Sequence, residues 1–187
     1  MTKPKGKTAL VMVDPQNDFC PGGSLAVKDG DKVMSLLNDL KKKVDLVVAT
    51  RDWHPKITKH FKEFGGIWPP HCVQGTRGAE FHPDLDLEDA VIFSKGTDPE
   101  DDAGYSGFDG VSALGTGLEE YLRLAGVDTL VVGGLATDYC VKETVLEGLK
   151  RGFKVVVAVD AIRAVDLEPG NGEKALKEMV EAGAVLI

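Results

Sequence analysis

Apolar residues along this chain fall in short, nearly unbroken runs. Five are rich in valine and leucine, at residues 8–14 (TALVMVD), 45–50 (DLVVAT), 90–95 (AVIFSK), 128–135 (DTLVVGGL) and 154–161 (KVVVAVDA). A sixth, GAVLI at 183–187, closes the chain. So few polar interruptions predict strands covered on both faces, as in a parallel sheet.

Helical periodicity separates several of these runs. In DKVMSLLNDLKKK (31–43), Val33, Leu36, Leu37 and Leu40 repeat at i, i+3, i+4, i+7, and the segment ends in a basic turn suited to a helix C-terminus. LEEYLRLAG stops at Gly126. TDYCVKETVLEGLKRG opens on a threonine or aspartate cap and ends at Gly152, and NGEKALKEMVEAG follows the same scheme to Gly183. Strand–helix alternation of this kind predicts a three-layer α/β/α fold, a mostly parallel six-stranded sheet with helices on both faces.

Two segments break the alternation. Residues 51–89 and 96–110 are long for loops, and connections beyond about 12–15 residues are usually functional or disordered. The first is too rich in tryptophan, phenylalanine and histidine to be disordered. No repeat or linker interrupts the chain, so residues 1–187 read as a single domain with an elaborated region at about 51–89.

Composition narrows the functional classes. The 187 residues are 43% hydrophobic and 28% charged, as in ordinary soluble domains, and the formal net charge is −8. That acidity argues against a nucleic-acid surface, which needs a basic stripe to neutralise phosphates. No apolar run approaches the roughly 20 residues needed to span a bilayer, so no membrane partner is expected. The basic start MTKPKGK lacks the long apolar region of a secretory signal, which makes the cytosol the default address. Cys20, Cys72 and Cys140 make an odd count without paired spacing, so no disulfide framework is expected. A homo-oligomer is compatible with this composition.

Ligands of open parallel sheets bind outside the carboxyl ends of the strands. The first run ends on Asp14, the second leads to Asp52 and His54, the third ends on Lys95, and the fourth runs on to Cys140. An acid, a cation and a thiol are thereby expected on one edge. Cys140 falls in the first turn of its helix, where unpaired N–H groups favour a thiolate. Lys95 could stabilise that anion and Asp14 could take the proton, the arrangement for covalent catalysis on a carbonyl. The small residues before Cys140 leave backbone N–H groups for an oxyanion hole.

All four histidines lie between residues 51 and 82. Asp52 and His54 place two ligand types on one side of an extended segment, and His60 and His71 could close a site from the loop. Carboxylate and imidazole together suit a divalent ion such as zinc, iron(II) or manganese. His82 reads as structural or surface, and Cys72 as a packed neighbour.

VDPQNDFCPGGSL, ATRDWH, WPPHCVQGTRGAEFHP, FSKGTD, YSGF and GLATDYCV, in that order from about Ala9 to Ala161, together resemble the nicotinamidases within the isochorismatase-like cysteine hydrolases. The resemblance implies a Rossmann-like strand order and hydrolysis of nicotinamide, with pyrazinamide an analogue the same site would accept. It implies a triad of Asp14, Lys95 and Cys140, with Ala136 and Cys140 amides for the oxyanion and a cis peptide before Ala136. One divalent metal, zinc foremost, would be held by Asp52, His54 and His71, with His60 a further ligand in some members. Phe19, Trp68 and Tyr105 match positions that enclose the pyridine ring, and Gln16 lies beside them.

The nearest rival is an amidohydrolase acting on a carbamoyl or ureido group, which would not need the histidines. A metal-dependent nicotinamide sensor would have no use for a base and nucleophile at the strand ends. No G-x-G-x-x-G follows the first strand, so a dinucleotide-binding module is poorly supported.

Overall fold

The computed structural model describes residues 6–100 and 104–187. The basic start at residues 1–5 lies outside them, as do residues 101–103 of the second long loop. Strands β1 (Lys7–Val13), β2 (Leu46–Asp52), β3 (Val91–Lys95), β4 (Val111–Ser112), β5 (Val127–Leu135), β6 (Lys154–Arg163) and β7 (Val185–Leu186) form one sheet. The helices are α1 (Val33–Lys41), α2 (Leu118–Leu124), α3 (Lys142–Lys150) and α4 (Asn171–Glu181).

The strand order is β4-β3-β2-β1-β5-β6-β7, and every pairing is parallel except β3 with β4. All six expected strands are present, and without β4 their order is that of the doubly wound dinucleotide-binding sheets. The seventh strand, β4, is two residues long and pairs Phe93 with Ser112 and Ser94 with Val111. Two residues are too few to write a period into the sequence.

Burial on both faces explains the unbroken apolar runs. Alternate residues of β1 serve opposite layers: Ala9, Val11 and Val13 pack with Leu118 and Leu122 of α2, Val145 of α3 and Met179 of α4. Leu10 and Met12 pack with Val33, Met34 and Leu37 of α1. All five of these β1 residues are fully buried.

Because α1 covers one face and the other helices cover the opposite one, the connections leaving β1 and β5 diverge, and a crevice opens where their carboxyl ends separate. A close approach fixes that crevice. Gly134 has φ +125°, and a Cβ there would lie 2.1 Å from the carbonyl oxygen of Val13, the residue before Asp14. Gly134→Ala is therefore expected to destabilise the fold by about 3 kcal/mol or more, read from the urea midpoint. A midpoint within experimental error of the parent's would show that β1 and β5 can separate freely.

Residues 53–90 run without a helix longer than one 3₁₀ turn, yet they are tied down. Isolated bridges join His54 to Val73, Phe61 to Trp68 and Gln16 to Phe81. Asp18 adds another tie, its carboxylate accepting from the backbone N–H of Cys72 at 2.7 Å.

Two expected helix caps are used otherwise. Asp138 does not cap its own helix; its carboxylate accepts from the backbone N–H of Val165 and Asp166, both at 2.9 Å. The chain enters α3 through a π-helical turn, Thr137–Val141. Helix α4 follows Gly170 in the left-handed region, and Asp166 receives the Gly172 N–H at 2.7 Å.

Candidate active site and metal centre

Asp14 ends β1 in the left-handed region, φ +46°. A non-glycine residue held there costs about 1–3 kcal/mol, so its surroundings must fix it. The Thr50 hydroxyl of neighbouring β2 does so, donating to Asp14 Oδ1 at 2.6 Å and accepting from the Asp14 N–H at 3.3 Å. Lys95, at the end of β3, carries its ammonium into the same crevice. It lies 2.9 Å from Asp14 Oδ2, hydrogen-bonds Asp52 Oδ1, and reaches Cys140 Sγ at 3.5 Å. All four residues are buried, Lys95 being only 2% exposed.

One ammonium between two carboxylates leaves an excess negative charge in a buried site, and the two acids respond oppositely. Burial pushes the Asp14 carboxyl up against the pull of Lys95, and the neighbouring Asp52 charge adds to the rise. Burial acts on Asp52 too, but the Lys95 ammonium holds it well below the usual carboxylate range. Lys95 stays protonated because Asp14 and Asp52 outweigh its desolvation. Burial pushes Cys140 well above an ordinary thiol, with Lys95 only partly opposing. The thiolate expected from a first-turn position is therefore not the resting form. The site holds a thiol beside a carboxylate of raised proton affinity, so the proton has a nearby acceptor when sulfur attacks.

The peptide Leu135–Ala136 is cis, as the resemblance implies, and the Ala136 carbonyl accepts from the N–H groups of Tyr139 and Val141, both at 3.1 Å.

Beside the ammonium lies the imidazole cluster. His54, His60 and His71 are buried, and one ring nitrogen from each falls within 4.8 Å of the others. His54 Nδ1 lies 3.0 Å from the Gly96 carbonyl and His71 Nδ1 2.8 Å from the Pro69 carbonyl. Each Nδ1 is thus the protonated nitrogen and each Nε2 keeps its lone pair. Those lone pairs converge on Asp52 Oδ2, at 3.7 Å from His54 Nε2 and 3.9 Å from His71 Nε2. His54 Nε2 is buried with no hydrogen-bond partner. Tetrahedral ligands at about 2.0–2.1 Å from a zinc-sized ion stand roughly 3.3–3.5 Å apart, so this donor set fits a divalent metal. Burial also lowers the proton affinity of His71, which suits a ligand. His60 stacks on His54 with centroids 4.6 Å apart, inside the same cluster.

Above Cys140 a cleft of about 310 Å³, its mouth included, is walled by Phe19, Leu25, Trp68, Tyr105, Tyr139 and Val165, with Asp52, His60 and His71 at one end. Trp68 Nε1 donates to the Tyr105 hydroxyl at 3.0 Å. Tyr139 meets Trp68 edge-on at 5.0 Å and Tyr105 at 5.4 Å. A larger depression of about 730 Å³ around Cys20, Arg77 and His82 holds no comparable convergence. His82 stays outside the cluster, as expected, with Nδ1 accepting from the Asp84 N–H at 3.2 Å.

Phe19, Trp68 and Tyr105 line this cleft, but Gln16 does not. Its side chain is fully buried and turned into the backbone, donating to the carbonyls of Asp52 and Ala79 and accepting from the Asp52 N–H. Sequence reasoning missed Thr50, Tyr139, Leu25 and Val165. For two of them a signal existed: Thr50 is the polar residue ending an apolar run, and Tyr139 adjoins the thiol.

Known proteins resemble this chain along nearly its whole length. The chain is 40% identical to the nicotinamidase of Escherichia coli over 95% of its own length and 93% of that protein's. It is 42% identical to the nicotinamidase/pyrazinamidase of Mycobacterium tuberculosis, covering 96% of this chain and 97% of the other. The crystal structure of the pyrazinamidase of Pyrococcus horikoshii in complex with zinc superposes with a TM-score of 0.87 at 46% identity, over 97% and 98% of the two chains. With the isochorismatase domain model matching residues 8–187, the chain belongs to the isochorismatase family.

Proposed function

We propose that this protein is a nicotinamidase, hydrolysing nicotinamide to nicotinate and ammonia through a thioester on Cys140. One observation carries the reading: the Lys95 ammonium touches Asp14, Asp52 and Cys140 at once, directly beside three imidazoles and below an aromatic slot.

Residues 51–89 form the metal- and substrate-binding region. Asp52, His54 and His71 would hold the ion, with His60 a further donor. Zinc is the metal we assign, because the similar pyrazinamidase of Pyrococcus horikoshii was crystallised in complex with zinc, although iron(II) and manganese accept the same donors. When bound, a divalent ion there supplies Lewis-acid binding of a ring nitrogen. Phe19, Trp68 and Tyr105 enclose the ring and set the carboxamide over Cys140.

Asp14 takes the thiol proton as Cys140 sulfur bonds to the amide carbon. The N–H groups of Ala136 and Cys140 receive the oxyanion. Protonated Asp14 then gives its proton to the departing nitrogen, the C–N bond breaks, and ammonia leaves a nicotinoyl thioester. Asp14 next takes a proton from water, whose oxygen attacks that carbonyl. The C–S bond breaks, nicotinate is released and the proton returns to sulfur. Lys95 holds Asp14 ionised and in place between these transfers. The product belongs to pyridine-nucleotide salvage, and pyrazinamide offers the same carboxamide on a similar ring. Three free, buried thiols suit the reducing cytosol.

Purified protein, stripped by a chelator and then restored with zinc, should release ammonia and nicotinate from nicotinamide in equal amounts only when restored. Release from a carbamoyl or ureido compound, without response to the chelator, would favour the rival amidohydrolase. Trp68→Ala removes one wall and the Tyr105 tie, and should raise KM for nicotinamide about tenfold with a smaller change in kcat. An unchanged KM would move the ring elsewhere.

A further inference from the structure

The two carboxylates are held by a reciprocal brace between neighbouring strands. The β1–β2 ladder runs only to Met12 and Ala49, because the chain turns away at Asp14, whereas β2 continues to Asp52. Asp52 keeps a strand on its other side, in register with Lys95 of β3. On the β1 side its peptide groups face no strand. The Gln16 carboxamide takes the place of one: Oε1 accepts from the Asp52 N–H at 2.8 Å and Nε2 donates to the Asp52 carbonyl at 2.7 Å. The second Nε2 proton goes to the Ala79 carbonyl at 2.9 Å, tying the 3₁₀ turn Arg77–Ala79 to the same point. In the opposite direction, β2 supplies the Thr50 hydroxyl that fixes both the N–H and the carboxylate of Asp14.

The geometry points to Gln16 and Thr50 as a matched pair of positioning residues: Gln16, just past the end of β1, sets the metal-binding Asp52 of β2, and Thr50 of β2 sets the proton-accepting Asp14 at the end of β1. This rests on the roles given above to those two acids. A glutamine in this place is costly unless every polar atom is paired, since it is fully buried, and it is fully paired. Neither residue touches the cleft, so each acts through the carboxylate it holds. Partners that orient metal ligands are commonly worth 10- to 100-fold in metal affinity.

The test measures zinc affinity by chelator competition without substrate, and kcat and KM separately, for Gln16→Met and Thr50→Val. Circular dichroism and thermal midpoint are recorded for each. Gln16→Met should bind zinc roughly 10- to 100-fold more weakly than the parent. Thr50→Val should bind zinc like the parent, keep KM, and lose roughly 10- to 100-fold in kcat, with Thr50→Ser restoring it. If Gln16→Met does not fold, Gln16→Glu, which keeps the volume and loses the two donors, carries the zinc measurement, and if neither folds the Thr50 variants decide. Zinc affinity within threefold of the parent in a folded Gln16 variant overturns the brace. So does an unchanged kcat in Thr50→Val, or an equal loss of zinc affinity in both variants. Because zinc is titrated without substrate, a parent inactive on nicotinamide would refute the proposed reaction and leave the Gln16 result standing.

Discussion

Cys140→Ala is expected to lower kcat by at least about 10⁴-fold while leaving zinc and nicotinamide bound. The asymmetry follows from where the sulfur sits. Cys140 closes the floor of the cleft, 3.5 Å from the Lys95 ammonium, but contributes nothing to the imidazole cluster or to the aromatic walls. Removing it takes away the bond-forming atom alone. No other thiol can serve, because Cys72 is fully buried and neither it nor Cys20 lines the cleft; burial pushes both thiols up, Cys20 to about 11. Rates with zinc and nicotinamide saturating, beside calorimetric affinities for both, check the point. A variant keeping one per cent of the parent's kcat would show that water can attack directly.

Lys95→Met carries the second large effect, on folding as well as on rate. Met fills a similar space without the charge, so Asp14 and Asp52 would face each other across a buried site without their shared cation. Leaving a buried charge without its partner costs about 3–5 kcal/mol near neutral pH. The pH dependence has a definite sign when both proteins are stripped of metal. In the parent, the folded Asp52 lies below its unfolded value, so its stabilisation is present above that unfolded value and fades as pH falls. In the variant, the unpaired Asp14 lies further above its unfolded value, and its protonation as pH falls stabilises the fold. Protonation of Asp14 in the variant narrows the gap between the two proteins as pH falls from about 7. The fading Asp52 stabilisation in the parent narrows it further only once pH passes below the ordinary carboxylate range, about 4. Urea midpoints across that range measure it; a gap that widened on acidification would mean that Lys95 is not the counter-ion of these acids. The kcat of the variant should fall at least about 10³-fold, since Asp14 would no longer be held ionised.

What the sequence discloses and what it hides have physical reasons. Strands buried on both faces must be apolar at consecutive positions, so β1, β2, β3, β5 and β6 announce themselves, and the residues at their carboxyl ends mark the edge where a site is expected. β7 shows only as a short apolar run, its two residues being exposed. Asp14, Lys95 and Cys140 were legible because that edge is where a parallel sheet opens. The histidines were legible as a cluster because one loop carries them all. Their ligand geometry was not, since it depends on the carbonyls of Gly96 and Pro69 selecting the tautomers. The surroundings of Gln16 were hidden for a related reason: its partners are peptide groups 36 and 63 residues away, and nothing in the local pattern distinguishes a cleft glutamine from one that mends a strand end. The same holds for Asp138, whose carboxylate serves the loop after β6 in preference to its own turn.

The covalent route on nicotinamide is tested most directly by trapping. Zinc-loaded protein turning over nicotinamide in the presence of hydroxylamine should yield nicotinohydroxamate at the expense of nicotinate, with the two acyl products together equal to the ammonia released, and Cys140→Ala should yield neither. Nicotinate as the sole acyl product at every hydroxylamine concentration, or the same products from Cys140→Ala, would contradict a thioester on Cys140.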